Sequence, residues 1–359
     1  MLQTIVSKIE RTIFPAPYIG KGLAFNINKG VRDFVMCVGT TFDSRIINAM
    51  YTARLGYCNA FEQLGFNVRL IKLAELEEIN DKLVEPIIFL YSSDLNNISQ
   101  SLKNTLRNLN TIIWAQYWFT DQKKYFDQHG FSYLNNEDNS DNIKNILEIH
   151  PKFVFSANTP SGEKFFEKYT ENGIRFKSLP LAFDTVLYGD KIRAFNTEFH
   201  HELVFIGGYW ASKAVNFDKY LRPYEKKLTI YGRNQWPYSG YKGKISFENE
   251  AIAYRSSKVC PVVNEPSVKY TNGQINERIF KVLGAGGCPV VDDIQCFREL
   301  FEDDELHIPE SINEYHELIS TLLTDDVLNT QVRTAGRKAV LEKHTYISRA
   351  KTILRDIDE

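Results

Sequence analysis

The sequence predicts an α/β protein made of two Rossmann-like halves, each a parallel sheet covered by helices. Three observations lead to that class. Short apolar runs alternate with segments of helical period along most of the chain, the pattern of strand–helix–strand units. The strand candidates Leu203–Ile206 and Lys227–Tyr231 run straight into Gly207-Gly208 and Gly232-Arg233, where parallel sheets present their ligands. The length, 359 residues, fits two domains at roughly 150 residues each.

The elements follow in order. Residues 1–14 place Leu2, Ile5, Val6, Ile9 and Ile13 at helical spacing, with Lys8 and Arg11 between them. That pattern suits a helix packed on its own domain or one in peripheral contact with a membrane. Phe34–Val38 is the first strand and Gly39-Thr40-Thr41 the turn after it. A helix over Tyr51–Leu64 closes at Gly65, and Asn67–Ile71 and Ile87–Tyr91 are strands. Leu102–Leu109 reads as helix, Thr111–Ala115 as strand and Lys123–Gln128 as a short helix. The polar stretch Asn135–Asn145 reads as a surface loop. Phe153–Phe155, Gly162–Tyr169 and Arg175–Leu179 read as strand, helix and strand.

Residues 184–202 are irregular and polar, so the domain boundary is expected near 190. The second alternation comprises Leu203–Ile206, Lys227–Tyr231, a helix over Asn249–Ser256 and a strand over Val259–Val263. A helix over 274–284, the strands Cys288–Val291 and Leu306–Ile308, and helices over 312–323, 327–341 and 346–357 complete it. The expected division is 1–190, 191–345, and a last helix in 346–359 returning toward the first domain.

The stretch Thr271–Asp293 organises the second half. At 100° per residue, Ile275, Ile279, Val282 and Leu283 fall on one arc and Gln274, Glu277, Arg278 and Lys281 on the opposite one. Thr271, Asn272 and Gly273 supply N-cap and turn chemistry, and Gly284, Gly286 and Gly287 end the helix. A helix N-terminus carries unpaired N–H groups and partial positive charge, and with Arg278 and Lys281 it could seat a diphosphate. Glu277 could accept from a ribose. The plain alternative is a solvated Glu–Lys pair on an exposed face.

Composition narrows the classes. Net charge is −2, which argues against a nucleic-acid binder driven by phosphate neutralisation. The five cysteines, Cys37, Cys58, Cys260, Cys288 and Cys296, are scattered and contain no CxxC. They indicate neither a disulfide frame nor a zinc site, and suit a reducing, cytoplasmic setting. No run of 18 apolar residues and no signal peptide is seen. The first half lacks GxGxxG after its first strand, which speaks against a dinucleotide-dependent oxidoreductase.

The order of motifs over 203–354 resembles a known family: the group 1 glycosyltransferases of the spore-maturation-protein type, which have the two-domain GT-B fold. The matching pieces are LVFIGGYW at 203–210, LTIYGRNQW at 228–236 and YRSSKVCPVVN at 254–264. They continue with INERIFKVLGAGGCPVVDD at 275–293, ELFEDDELHI at 299–308 and AGRKAVLEKHTYISRAKTIL at 335–354. LPLAFDTVLYG at 179–189 is similar to the interdomain segment of that fold. The resemblance implies a nucleotide-sugar donor held by the C-terminal domain and a glycan or other hydroxyl acceptor on the N-terminal one, with chemistry in the cleft. It implies that Gly207 and Gly208 let backbone approach the diphosphate and that Lys213 and Arg233 are phosphate-side cations. Asn276, Glu277 and Arg278 would face the nucleotide. One departure stands out: most relatives carry Glu, a donor contact, where this chain has Lys281. Lys281 could neutralise diphosphate charge, or mark a changed donor or a lost activity.

Transfer also needs stabilisation of the departing diphosphate and, in an inverting enzyme, a base at the acceptor. Asp121, in WAQYWFTDQ just beyond the fourth strand, is the candidate base, with helix capping as its alternative. Thr41, Trp114, Tyr117 and Trp118 are candidate acceptor-side residues, the aromatics as sugar platforms or as core. Asp43, His129 and His150 are weaker catalytic candidates. No DxD sits at a strand end, so neither a metal nor another cofactor is expected. Two readings from different classes remain: a glycosyltransferase, and a catalytically silent GT-B protein that binds a sugar nucleotide or a partner enzyme.

Overall fold

The computed structural model describes residues 27–38, 49–115, 127–128, 130, 140–189, 196–270 and 273–359. The expected helix over 1–14 lies outside them, as do Thr41, Asp43, Tyr117, Trp118, Asp121 and His129. The chain divides into two compact units. The first comprises Met1–Ala157, Glu163–Leu179 and Ala350–Glu359, the second Asn158–Gly162 and Pro180–Arg349. By this division the second unit takes over at Pro180, where the sequence suggested a boundary near 190.

The first unit is built on six parallel strands: β1 (Asp33–Val38), β2 (Asn67–Lys72), β3 (Ile87–Tyr91), β4 (Asn110–Trp114), β5 (Phe153–Ser156) and β6 (Phe176–Ser178). They stand in the order β2-β1-β3-β4-β5-β6. β1 and β3 are buried at every position, because helices cover both faces and alternation with water is lost. Asp33 is an exception that proves satisfiable: its carboxylate accepts from Arg69 Nε at 2.7 Å and Val84 N at 2.8 Å, so a charge survives inside the sheet.

The polar stretch read as a loop is partly helix, since Ser140–Ile149 is helical. Ile146 and Ile149 enter the core, and buried Asn145 donates from Nδ2 to Leu95 O at 2.8 Å. Tertiary contacts supply partners that the asparagine-rich composition does not advertise. His150 ends this helix at positive φ and is exposed, so it terminates a helix rather than lining a site. The last helix, Tyr346–Asp358, contributes to the first unit from Ala350 onward. There Asp356 pairs with Lys177 at 3.1 Å.

The second unit pairs β7 (Leu203–Ile206) with β8 (Leu228–Tyr231), and β9 (Cys260–Val262) with β10 (Pro289–Val291), all parallel. A single bridge, Leu203 to Val259, joins the pairs in the order β8-β7-β9-β10. The expected strand Leu306–Ile308 does not form. Leu306 and Ile308 are buried and His307 is exposed, so strand-like alternation exists there without a ladder partner. A short piece of the first half is held in this unit: Glu299 accepts from Ser161 N at 2.8 Å, Ser161 Oγ at 2.6 Å and Thr159 Oγ1 at 3.1 Å.

The arginines of the last helices hold backbone. Arg333 donates to Arg255 O at 2.9 Å and Gly286 O at 3.0 Å, and Arg337 to Gly284 O at 3.2 Å. They thereby cap the carboxyl ends of two helices. Arg349 donates from Nε to Pro180 O at 2.8 Å and meets His344 Nδ1 at 3.1 Å, while His344 Nε2 lies 2.9 Å from Leu300 O. His344 is therefore a neutral tautomer protonated at Nε2. Burial, and then Arg349, hold its pKa down to about 4.

A pH effect follows. The unfolded chain binds this proton near the ordinary value of about 6.5 and the folded chain does not. Stability is present above 6.5 and is lost as pH falls toward 4, by about 3 kcal/mol in all. His344→Gln can keep both hydrogen bonds without titrating. Denaturant melts at pH 7 and pH 4 should show a larger loss in the wild type than in the variant; equal losses would refute the neutral, buried ring.

Candidate functional site

The chain leaves β7 for β8 on one side and enters β9 on the other, so the switch point of this sheet lies between the carboxyl ends of β7 and β9. Arg278 fills it. Its Nε donates to Ile206 O at 2.8 Å and Nη1 to Val263 O at 3.1 Å, with the guanidinium carbon 4.2 Å from the centre of the Phe205 ring. One planar cation thus ties two strand ends that share no ladder there. A Cβ at Gly207 would run into this guanidinium, and one at Gly232 into Gly207 O. Gly207 N donates to Tyr231 O at 2.9 Å and Gly207 O accepts from Trp236 Nε1 at 3.0 Å.

The expectation for Gly207 is therefore corrected: its space belongs to Arg278 and its backbone groups are engaged by the fold. Gly208 differs. It is half-buried, and its N–H meets no acceptor among the described residues.

The helix expected over 274–284 is Arg278–Ala285. Asn276 Oδ1 accepts from Arg278 N at 3.0 Å and caps the start. Asn276 Nδ2 donates to Asn264 Oδ1 at 2.6 Å. Asn264 in turn donates from N and Nδ2 to the Asp292 carboxylate at 2.7 and 2.8 Å. Burial raises Asp292 to about 6, against these donors. Asn276 thus fixes the loop before the helix and is itself half-buried. The helix ends on Gly286 in the left-handed region, with Gly286 N on Leu283 O and Gly287 N on Val282 O, a Schellman arrangement.

The apolar arc is buried as read from the sequence, but the charged arc is not turned to water. Glu277 and Lys281 are 4% and 9% exposed, too little to meet a ligand as placed. Lys281 Nζ lies 3.0 Å from Glu277 and 3.7 Å from Glu250. Tyr346 donates to Glu277 at 2.7 Å and Tyr188 to Glu250 at 2.9 Å. Burial opposes the ammonium, yet Glu250 and then Glu277 outweigh it and raise its pKa. The reason is packing all round: the helices 247–256 and 326–343 and strands β9 and β10 enclose this one. A Cβ at Gly284 would meet the Phe183 ring and one at Gly336 the Leu283 side chain. A helical wheel gives the direction of a charge, not what stands there.

The remaining candidates separate. Arg233 follows β8, is exposed, and has no ion-pair or hydrogen-bond partner among the described residues. Lys213 is half-buried and pairs with Glu265 at 2.6 Å. Burial lowers its pKa and Glu265 works against that. For Trp114 the core alternative holds and the acceptor-side role does not: it is 6% exposed, stacked on Phe155 at 5.9 Å and edge-on to Tyr91 at 5.3 Å. Among the described residues no group of three or more His, Cys, Asp or Glu could hold a metal, and no helix is long and apolar enough to cross a membrane.

Sequence reading gave no site role to Asn264, Asp292, Glu250 or Trp210. Asn264 and Asp292 could have been found, because each stands directly past a strand. Glu250 had no signal, being one more acid on a helix.

The fold and this edge define a class: an α/β protein whose second unit offers Gly208 and the exposed Trp210 after β7 and, after β8, the cation Arg233 with no partner among the described residues. Comparison narrows the class. Residues 214–355 match a family model described as glycosyl transferase-like. Solved structures share the fold, including sucrose-phosphate synthase from Thermosynechococcus elongatus (TM-score 0.62, 12% identity, 90% of this chain and 98% of that one). Another is the UDP-forming alpha,alpha-trehalose-phosphate synthase from Burkholderia vietnamiensis (0.59, 9%, 92% and 97%). A third is T4 phage BGT in complex with its UDP-glucose substrate (0.55, 14%, 91% and 100%). No curated protein sequence matches. The chain therefore has the GT-B fold and carries a glycosyl transferase-like segment.

Proposed function

We propose that the protein is a glycosyltransferase that takes a nucleotide sugar, of the UDP class, at the carboxyl edge of the second unit's sheet. The observation that carries this reading is the edge itself: among the described residues the Gly208 N–H after β7 and the Arg233 side chain after β8 have no partner, and half-buried Lys213 stands just ahead of the glycosyl transferase-like segment 214–355. Gly208 would donate to the diphosphate, and Arg233 and Lys213 would stabilise its charge as the bond from the sugar's anomeric carbon to the phosphate oxygen breaks. Asp121 remains the proposed base that takes the acceptor hydroxyl proton as the new glycosidic bond forms. Thr41, Tyr117 and Trp118 remain proposed acceptor contacts, with a sugar or another hydroxyl compound as acceptor. Arg278 and Asn276 act by holding the edge in shape.

The test is UDP release from a panel of UDP-sugars, with calorimetric titration of UDP. Arg233→Ala should weaken UDP binding by roughly tenfold, about 1.4 kcal/mol, with the melting temperature unchanged. Neither UDP binding nor UDP release in the wild type would end the reading. Asp121→Asn should lower turnover and leave UDP affinity alone.

A second reading, a silent GT-B protein that binds a partner or a sugar nucleotide, draws on the closed Glu277–Lys281–Glu250 cluster. It leaves Glu277 without a free oxygen for a ribose. UDP binding without release from any sugar nucleotide would favour it.

A further inference from the structure

We propose that Trp210 is the stacking platform for the sugar ring of the donor, an inference that rests on the nucleotide-sugar reading above. Four observations carry it. Trp210 is 51% exposed, in a unit whose other described tryptophan, Trp236, is 1% exposed. Its position is fixed rather than frayed. Backbone at Trp210 is extended (φ −135°, ψ 138°), so neighbouring side chains point to opposite sides. Tyr209 turns inward onto Trp236 and Phe217, at 5.2 and 6.0 Å, and Trp210 turns out.

The indole is supported on one side. A Cβ at Gly208 would lie 3.5 Å from Nε1, Cε2 and Cζ2 of the ring, which is ordinary contact, so the indole lies beside the backbone of Gly208. On the other side no ring, cation or hydrogen-bond partner meets it among the described residues. Such an indole offers an apolar face for the C–H side of a pyranose and an Nε1–H donor for a hydroxyl.

Position selects the sugar over the base. Trp210 stands two residues from Gly208, the N–H proposed to hold the diphosphate. In a nucleotide sugar the transferred ring is bonded directly to that diphosphate, while the base is separated from it by the ribose.

Calorimetric titrations of UDP and UDP-glucose into the wild type, Trp210→Phe and Trp210→Ala test this. Trp210→Ala should weaken UDP-glucose roughly five- to tenfold and change UDP less than twofold. Trp210→Phe should keep most of the affinity, and an exposed position predicts unchanged melting for both variants. Equal weakening of UDP and UDP-glucose would place the indole on the nucleoside and overturn the assignment. Unchanged UDP-glucose affinity would make it no contact at all. If the wild type binds neither probe, the nucleotide-sugar reading fails and this inference falls with it, a result distinct from either failure of the variant.

Discussion

Lys281→Glu should destabilise the second unit by on the order of 3–5 kcal/mol, a drop in melting temperature of roughly 10 °C. Lys281 is the cation between two carboxylates that are themselves buried, Glu277 at 3.0 Å and Glu250 at 3.7 Å. Removing one partner of a buried ion pair leaves an uncompensated charge, and placing a third carboxylate there adds repulsion at low dielectric. Tyr188 and Tyr346 already donate to the two acids and cannot neutralise a third. Lys281→Met should cost less, because it removes the cation without adding an anion. Thermal melts of the three proteins rank them: wild type, then methionine, then glutamate. A glutamate variant as stable as the wild type would mean that these groups do not form one buried cluster. The glutamate found at this position in the resembling family would thus be harmful in this chain, because Glu250 and Glu277 are arranged around a lysine.

Arg278→Ala should also cost several kcal/mol, from two charge-assisted hydrogen bonds at about 1.5–3 kcal/mol each. It would leave Ile206 O and Val263 O without their donors at the sheet's switch point. Because the effect is structural, a fall in ligand affinity alone would not establish it; a double-mutant cycle with Gly207→Ala does. In the wild type, alanine at 207 runs into the guanidinium and should be damaging. With Arg278 already removed, only the Phe205 ring edge at 3.0 Å still crowds that Cβ, and the same alanine should cost much less, a non-additivity expected only of groups in contact. Additive losses would show that glycine at 207 serves something other than Arg278. Arg278→Lys should rescue little, because an ammonium lacks the fork that spans two carbonyls.

Much of the fold was legible. All ten described strands coincide with a strand read from the sequence; the central β1 and β3 are apolar or buried at every position because they are covered on both faces. Gly65, at φ 88°, and Gly286, at φ 80°, end helices where the sequence placed their ends, since only glycine enters that region without strain. The polar helix Ser140–Ile149 was missed, and Leu306–Ile308 was read as a strand. In both cases local pattern was overruled by partners distant in sequence.

The candidate site was legible in place but not in role. Glycines after β7 and β8, and cations before and after them, mark the ligand edge of a parallel sheet by position alone. Sequence therefore determined the fold class, the strand order along the chain, the edge where a ligand would lie and the apolar arc of the 278–285 helix. The tertiary structure decided which cations face that edge and which the fold consumes. Arg278 and Lys281 read as equals to Arg233, yet helices on every side bury Lys281 and two strand-end carbonyls claim Arg278. Arg233 and Trp210 remain at the surface because nothing in the described chain packs over them. Burial and hydrogen-bond partnership depend on residues tens of positions away, and the spacing of one segment does not encode them.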